Sequence, residues 1–555
     1  MRRVALLVVL VAAAGAGLSA RVPVRARHGM VAAREAHATD IGVAVLESGG
    51  NAVDAAVAVG FALAVTHPSA GNIGGGGFLL ARFADGRTTF IDFRERAPEK
   101  ASHDMYLGPD GKVTRDSVTG YRAAAVPGTV RGLELAHKKY GRKRWAELVD
   151  PAVRLAADGF PVSYGLARSL AGSRRLAEFP ESKRIFLRDG KFYEAGERLV
   201  QPELARTLER IRDRGAKGFY EGETAELLAA DMQAHGGLIT MEDLKSYKAI
   251  ERHPLTGAYR RYTIMTAPPP SSGGVGILQM LGVLEGSGYE KSGFGSAATT
   301  HFMAETMRRY FADRSEYMGD PDFYHVPVTG LLDRRYIAGL RKSIDPEHAT
   351  PSAAVRPGKL AGYESGETTH YSIVDAEGNA VAVTYTLNNG FGNAVTAAKL
   401  GFLLNDEMDD FAAKPGEPNL FGLVQGEANA IQPRKTPLSS MTPTMVLRDG
   451  KLYLVVGSPG GPTIINTVLE VIVNVIDFGM NVADAVDAPR FHHQWMPDVL
   501  RLERGFSPDT VALLKARGHE IQFEDGQGEV AAIMAKDGWL EGDADPRTEG
   551  TAKGY

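Results

Sequence analysis

The chain has 555 residues, 44% of them hydrophobic and 23% charged, the balance of a globular protein with a sizeable core rather than of a disordered or fibrous one. A formal net charge of −4 gives no basic excess that would point to nucleic acid. With no cysteine, the chain makes no disulfide, thiolate metal site or cysteine nucleophile.

Met1-Arg2-Arg3 is a short basic start, residues 4–17 are apolar, and Leu18-Ser19-Ala20 ends on a small residue, so residues 1–20 read as a secretory signal peptide. The apolar core is short, and no other stretch approaches the roughly 20 residues of a membrane span. The expected location is periplasmic or secreted, an uncleaved anchor being the alternative.

Residues 32–46 and 51–65 carry Ala, Val and Leu at helical spacing around a Ser48-Gly49-Gly50 turn. Gly71-Asn72-Ile73-Gly74-Gly75-Gly76-Gly77-Phe78 lacks the Lys-Ser/Thr of a phosphate loop and runs into a strand over 78–83, so it reads as a close-packed turn. A strand over 88–93 delivers Arg94, which alone would be a solvated edge charge. Residues 131–140, 145–158 and 203–214 read as an outer helical layer. A strand over 259–265 enters the rigid turn Pro268-Pro269-Pro270-Ser271-Ser272-Gly273-Gly274, a structural cap for the next helix. Residues 301–317 repeat apolar groups at helical spacing among Arg308, Arg309, Asp313 and Arg314, which reads as a salt-bridged surface helix. From 350 to 367 periodicity is lost and Pro, Gly and Ser accumulate.

Next comes the most informative stretch. Residues 369–373 and 381–385 alternate as half-buried strands, joined by the turn Asp375-Ala376-Glu377-Gly378-Asn379. The first strand is headed by Thr368 and Thr369 behind Glu367. If the chain were cut there, the threonine hydroxyl would gain its own α-amine as an adjacent base, titrating near ~8, and no catalytic histidine would be needed. The hydroxyl could first attack the Glu367 carbonyl and make the cut itself. Taken alone, the Thr-Thr pair reads as β-branched strand filling.

Farther on, Asn405-Asp406-Glu407-Met408-Asp409-Asp410 gathers acids without matching ligand spacing elsewhere, which by itself reads as solvated rather than metal-binding. Strands follow over 445–447 and 451–456, then Gly457-Ser458-Pro459-Gly460-Gly461-Pro462 and a helix over 464–478. Two glycines at a strand-to-helix turn can present bare N–H groups to an oxyanion. His492-His493 has no third ligand and reads as packing. A helix over 508–517 and strands over 520–523 and 530–534 lead to the close at 542–547.

Thr368-Thr369-His370-Tyr371-Ser372, then Gly378-Asn379-Ala380-Val381-Ala382-Val383-Thr384-Tyr385-Thr386-Leu387-Asn388, then Pro437-Leu438-Ser439-Ser440-Met441, then Gly457-Ser458-Pro459-Gly460-Gly461 together resemble the γ-glutamyltransferase family of N-terminal nucleophile hydrolases, in order, from about residue 29 to the end. The resemblance implies an α+β fold, a four-layer αββα sandwich, where pattern alone gives only a mixed class. It implies self-cleavage between Glu367 and Thr368 into a large subunit, 21–367, and a small one, 368–555, that stay together. Thr368 would attack the γ-carbonyl of glutathione or another γ-glutamyl compound, with Thr386 hydrogen-bonded to it and Gly460 and Gly461 at the oxyanion. Arg94, Ser439 and Ser440 would hold the substrate's α-carboxylate, and Asp410, Glu407 and Asn388 its α-ammonium, under a lid over 415–426. Water, amino acids or dipeptides would accept the γ-glutamyl group; no metal or other cofactor is called for. Two positions depart from the family pattern: Glu407 replaces an expected Gln, and Phe421 in the lid an expected Tyr. A glutaryl or cephalosporin acylase, or an exported binding protein that never matures, are the competing readings.

Overall fold

The computed structural model describes residues 21–355, 367–415 and 425–555; the proposed signal peptide, most of the stretch before the cleavage site and most of the expected lid, Phe421 included, lie outside the described residues. Two seven-stranded, wholly antiparallel sheets form the centre. Their strands are β1 (Val24–Ala26), β2 (Met30–Ala33), β3 (Gly76–Arg82), β4 (Thr88–Asp92), β5 (Ile250–Arg252), β6 (Leu255–Tyr259), β7 (Tyr262–Thr266), β8 (Glu367–Val374), β9 (Ala380–Asn388), β10 (Thr444–Arg448), β11 (Lys451–Gly457), β12 (Ala531–Lys536), β13 (Trp539–Ala544) and β14 (Thr551–Gly554). One sheet runs β14-β2-β8-β9-β3-β4-β5, the other β1-β13-β12-β11-β10-β7-β6.

Among the helices of the outer layers are α1 (Ala36–Glu47), α2 (Ala52–Thr66), α3 (Thr129–Tyr140), α4 (Trp145–Asp158), α5 (Pro202–Arg214), α6 (Gly273–Leu284), α7 (Ala297–Tyr317) and α8 (Thr463–Ile476). α2 lies on β8 and β9, α3 on β3, and α4 and α5 pack outside them; α6 and α8 cover the second sheet, with α7 on α6. The result is the four-layer αββα sandwich.

Strand alternation explains why both faces of the β8–β9 hairpin are buried. Tyr371, Ile373, Val381, Val383 and Tyr385 enter the core under the α2 layer, whereas Val374, Ala380 and Ala382 enter the core between the sheets. Large residues therefore face helices, and small ones let the second sheet approach. Tyr371 and Tyr385 each donate a hydroxyl hydrogen bond to an α2 carbonyl, of Ala56 and Gly60, both at 2.9 Å. α2 is buried along its whole length, so its all-round Ala and Val composition is that of an internal helix.

Three expectations are corrected. Ala32 and Ala33 belong to β2, not to a helix: they pair with β8 or β14, and the helix begins only after Glu35, whose carboxylate accepts the N–H groups of His37 and Ala38. Helix α7 is a core helix rather than a surface one, because its charges are paired internally. Glu305 bridges Arg308 (3.0 Å) and Arg309 (2.6 Å), and Asp313 accepts from Tyr336 (2.6 Å) and Gln279 (2.9 Å). The acids at 406–410 are buried too, not solvated.

Candidate active site

The register of the hairpin sets the site. Thr368 on β8 lies opposite Thr386 on β9, but Glu367 lies opposite Asn388, so Leu387 is an extra residue that bulges β9. Thr368 Oγ1 donates to Thr386 Oγ1 at 3.4 Å, and the backbone N–H of Asn388 donates to the same Thr386 oxygen at 2.8 Å. Asn388, at φ 77°, then turns its side-chain amide to the carbonyl of Asp406 at 3.1 Å. The glycine run of the sequence packs against this hairpin as a close turn. A Cβ on Gly75 would stand 2.1 Å from the Thr386 carbonyl oxygen, and one on Gly77 2.4 Å from that of Thr384. Next along β8, His370 bonds Thr384 (2.8 Å) and Ser372 (3.1 Å), and burial drops its pKa to about 3. A neutral imidazole bound to two hydroxyls tethers strands; it is not placed as a base for Thr368.

In the same cavity as Thr368, Arg94 emerges just beyond β4, 2% exposed, rather than as a solvated edge charge. Its backbone N–H donates to Asp92 (3.0 Å), while its guanidinium donates to the carbonyls of Pro437 (3.4 Å) and Leu438 (3.3 Å) and pairs with Glu407, Asp410 and Glu95. Burial works against its charge, but Glu407, Asp410 and Glu95 outweigh it and raise its pKa. Three buried carboxyls around one guanidinium would, if all were ionised, hold more negative charge than it neutralises. Burial accordingly pushes Glu95 up to about 7 and Glu407 well above the usual carboxylate range, with Arg94 opposing both shifts.

Ser439 and Ser440 sit on a loop splinted by the Pro268–Ser272 turn: the Ser272 N–H (2.7 Å) and hydroxyl (2.8 Å) both donate to the Ser439 carbonyl, and the Ser439 N–H donates to the Pro270 carbonyl at 3.0 Å. Gly460 and Gly461, at φ 127° and 56°, form the turn from β11 into α8. A cavity of about 20 Å³ brings together Arg94, Thr368, Thr386, Asn388, Glu407, Asp410, Ser439, Ser440 and Gly461. Gly460 is one residue from that wall; the Glu367 side chain and Phe421 lie outside the described residues. Sequence reasoning left out Glu95 and Arg314, which donates to Ser440 at 3.1 Å. Glu95 was visible only as the neighbour of Arg94, and Arg314 was hidden by the reading of α7 as a surface helix. Among the described residues, no group of His, Asp and Glu has the arrangement of a metal site.

Comparison with known proteins places these residues in a family. Residues 38–555 match the family model described as γ-glutamyltranspeptidase. The chain is 54% identical over 530 residues to a glutathione hydrolase proenzyme of Escherichia coli, covering 95% of this chain and 91% of that protein. Its fold resembles the γ-glutamyltranspeptidase of Helicobacter pylori (TM-score 0.58, 47% identity, 58% of this chain and 94% of that one). It also resembles a cephalosporin acylase of Bacillus halodurans (TM-score 0.85, 26% identity, 99% of each chain).

Proposed function

The chain belongs to the γ-glutamyltranspeptidase family, and we propose that it is a γ-glutamyltransferase with glutathione hydrolase activity that matures by cutting itself before Thr368. In maturation, Thr368 Oγ1 attacks the Glu367 carbonyl, the peptide C–N bond breaks to leave an ester and a free Thr368 α-amine, and water then cleaves the ester to the Glu367 carboxylate and the regenerated Thr368 hydroxyl. The freed amine then takes the hydroxyl proton as Oγ1 attacks the γ-carbonyl of glutathione. Thr386 orients the nucleophile, and the N–H groups of Gly460 and Gly461 receive the oxyanion. The proton passes to the leaving amine of cysteinylglycine. Water or the amine of an amino acid or dipeptide then resolves the γ-glutamyl ester.

The observation that carries this reading is one cavity lined by Thr368 beside Thr386 together with Arg94, Ser439, Ser440, Glu407 and Asp410. In this assignment the substrate's α-carboxylate goes to Arg94 and the serines, and its α-ammonium to Asp410, Glu407 and Asn388. The Arg94–Asp410 and Arg94–Glu407 pairs are then exchanged for pairs with the two charges of the zwitterion. A glutaryl group, which lacks the ammonium, would leave the acids without a cation. This favours a γ-glutamyl substrate over the acyl groups of an acylase.

Residues 1–20 would be removed on export, and the pieces 21–367 and 368–555 would remain one unit because each sheet contains strands of both. N-terminal sequencing of active protein should return a chain beginning at Thr368, and Thr368→Ala should give one uncut, inactive chain. Full activity in an unbroken polypeptide overturns the proposal, and faster turnover of glutaryl than of γ-glutamyl amides replaces it with the acylase reading.

A further inference from the structure

Arg314 lies in the last turn of α7, and although it is one of the largest fully buried side chains in the protein, the mechanism above gives it no task. Its Nε donates to Ser272 Oγ at 2.9 Å and its Nη2 to Ser440 Oγ at 3.1 Å. A guanidinium has donors and no acceptor, so Ser440 Oγ must accept at this contact and its own proton is directed elsewhere. The surroundings hold this geometry. Tyr310, one turn earlier, donates to the Ser272 carbonyl at 2.5 Å, and Ser272 is tied twice to the Ser439 carbonyl. A Cβ on Gly273 would stand 1.8 Å from Thr442 Oγ1, so the backbone where the turn enters α6 lies hard against the serine loop.

We propose that Arg314 is a positioning residue for recognition of the substrate's α-carboxylate: it fixes Ser440 as a proton donor toward the cavity and places a second buried positive charge one hydroxyl behind the anion. The inference rests on the assignment of Arg94 and Ser440 to that carboxylate. Arg94 meets the anion directly, and Arg314 acts through Ser440. Such an arrangement favours ligands with an α-carboxylate over the same ligands without it, and leaves the reacting γ-carbonyl untouched.

The test compares inhibition constants of L-glutamate and 4-aminobutyrate, which differ only in the α-carboxylate, against hydrolysis of a γ-glutamyl anilide by the matured enzyme. Arg314→Gln should weaken glutamate about tenfold, the worth of one hydrogen bond to a charged group, and raise KM for the anilide more than it lowers kcat. 4-Aminobutyrate should be almost unaffected. Ser440→Ala should do the same, and the double variant should lose no more than either single one. Arg314→Lys, which keeps the charge, should fall between, and supplies the reading if the Gln variant does not mature. Equal weakening of both inhibitors, no weakening, or additive losses in the double variant overturns the proposal. If Arg94→Lys and Ser440→Ala both leave the glutamate preference intact, it is the carboxylate assignment that fails instead.

Discussion

Replacing Thr386 by Val tests the pairing at the centre of the site, because Val keeps the branched shape and removes only the hydroxyl. Thr386 is 2% exposed, and its oxygen accepts from Thr368 Oγ1 at 3.4 Å and from the Asn388 N–H at 2.8 Å. The first contact is long, and its loss costs about 0.5 kcal/mol at most. Losing the second takes away the Thr386 partner of an N–H in a buried residue, at about 1–3 kcal/mol. The fold should therefore lose about 1–3.5 kcal/mol, read as a lower midpoint in chemical denaturation. The nucleophile also loses its orienting partner, and kcat on a γ-glutamyl anilide should fall about 10–100-fold, equivalent to roughly 1.4–2.7 kcal/mol in the barrier. Thr386→Ser, which restores the hydroxyl, should recover most of both losses. If fully processed Thr386→Val enzyme turns over within about twofold of the parent, the 386 hydroxyl does not orient the nucleophile, a gap far below the range just worked.

Two further outcomes follow from the buried titratable groups. With an α-amine as base, the rate should fall as pH drops below about 8, and the limb should keep its position in His370→Gln, since burial holds that imidazole neutral down to about 3. A limb that moves with His370 would return the base to the imidazole. Asp313 is raised by burial from 3.8 to about 6, so the native chain holds a proton that the unfolded chain has lost in that window. Its contribution to stability is lost as pH rises from about 4 to about 6. Denaturation midpoints of Asp313→Asn relative to the parent should therefore improve between pH 4 and pH 7, and a constant difference would refute the shift.

The hairpin was legible because its alternation and its turn are local signals: 369–373 and 381–385 fall inside β8 and β9. The bulge that brings Asn388 round was not, since nothing in Thr386-Leu387-Asn388 distinguishes an extra residue from a regular strand. The second half of β2, Ala32 and Ala33, reads as helix because a short strand buried on both faces has no period-two signature. Charged residues misled most. Arg94 reads as solvated until Asp410, 316 positions away, is known to face it, and Arg308 and Arg309 read as solvated until Glu305 is seen between them. Periodicity reports where a side chain points, and only the folded chain reports whether its charge is compensated there. The glycine run, by contrast, was read as a close-packed turn from what it lacked.

The strand order β14-β2-β8-β9-β3 threads chain from after Thr368 between chain from before it. As a continuous precursor the molecule acquires this order in a first-order reaction, whose rate is independent of concentration. Once the bond before Thr368 is severed, the same weave is regained only by collision of two fragments, neither of which owns a complete sheet. Maturation as proposed would thus turn a unimolecular folding step into a bimolecular one, and dilute enzyme unfolded after processing should regain its fold more slowly than its precursor.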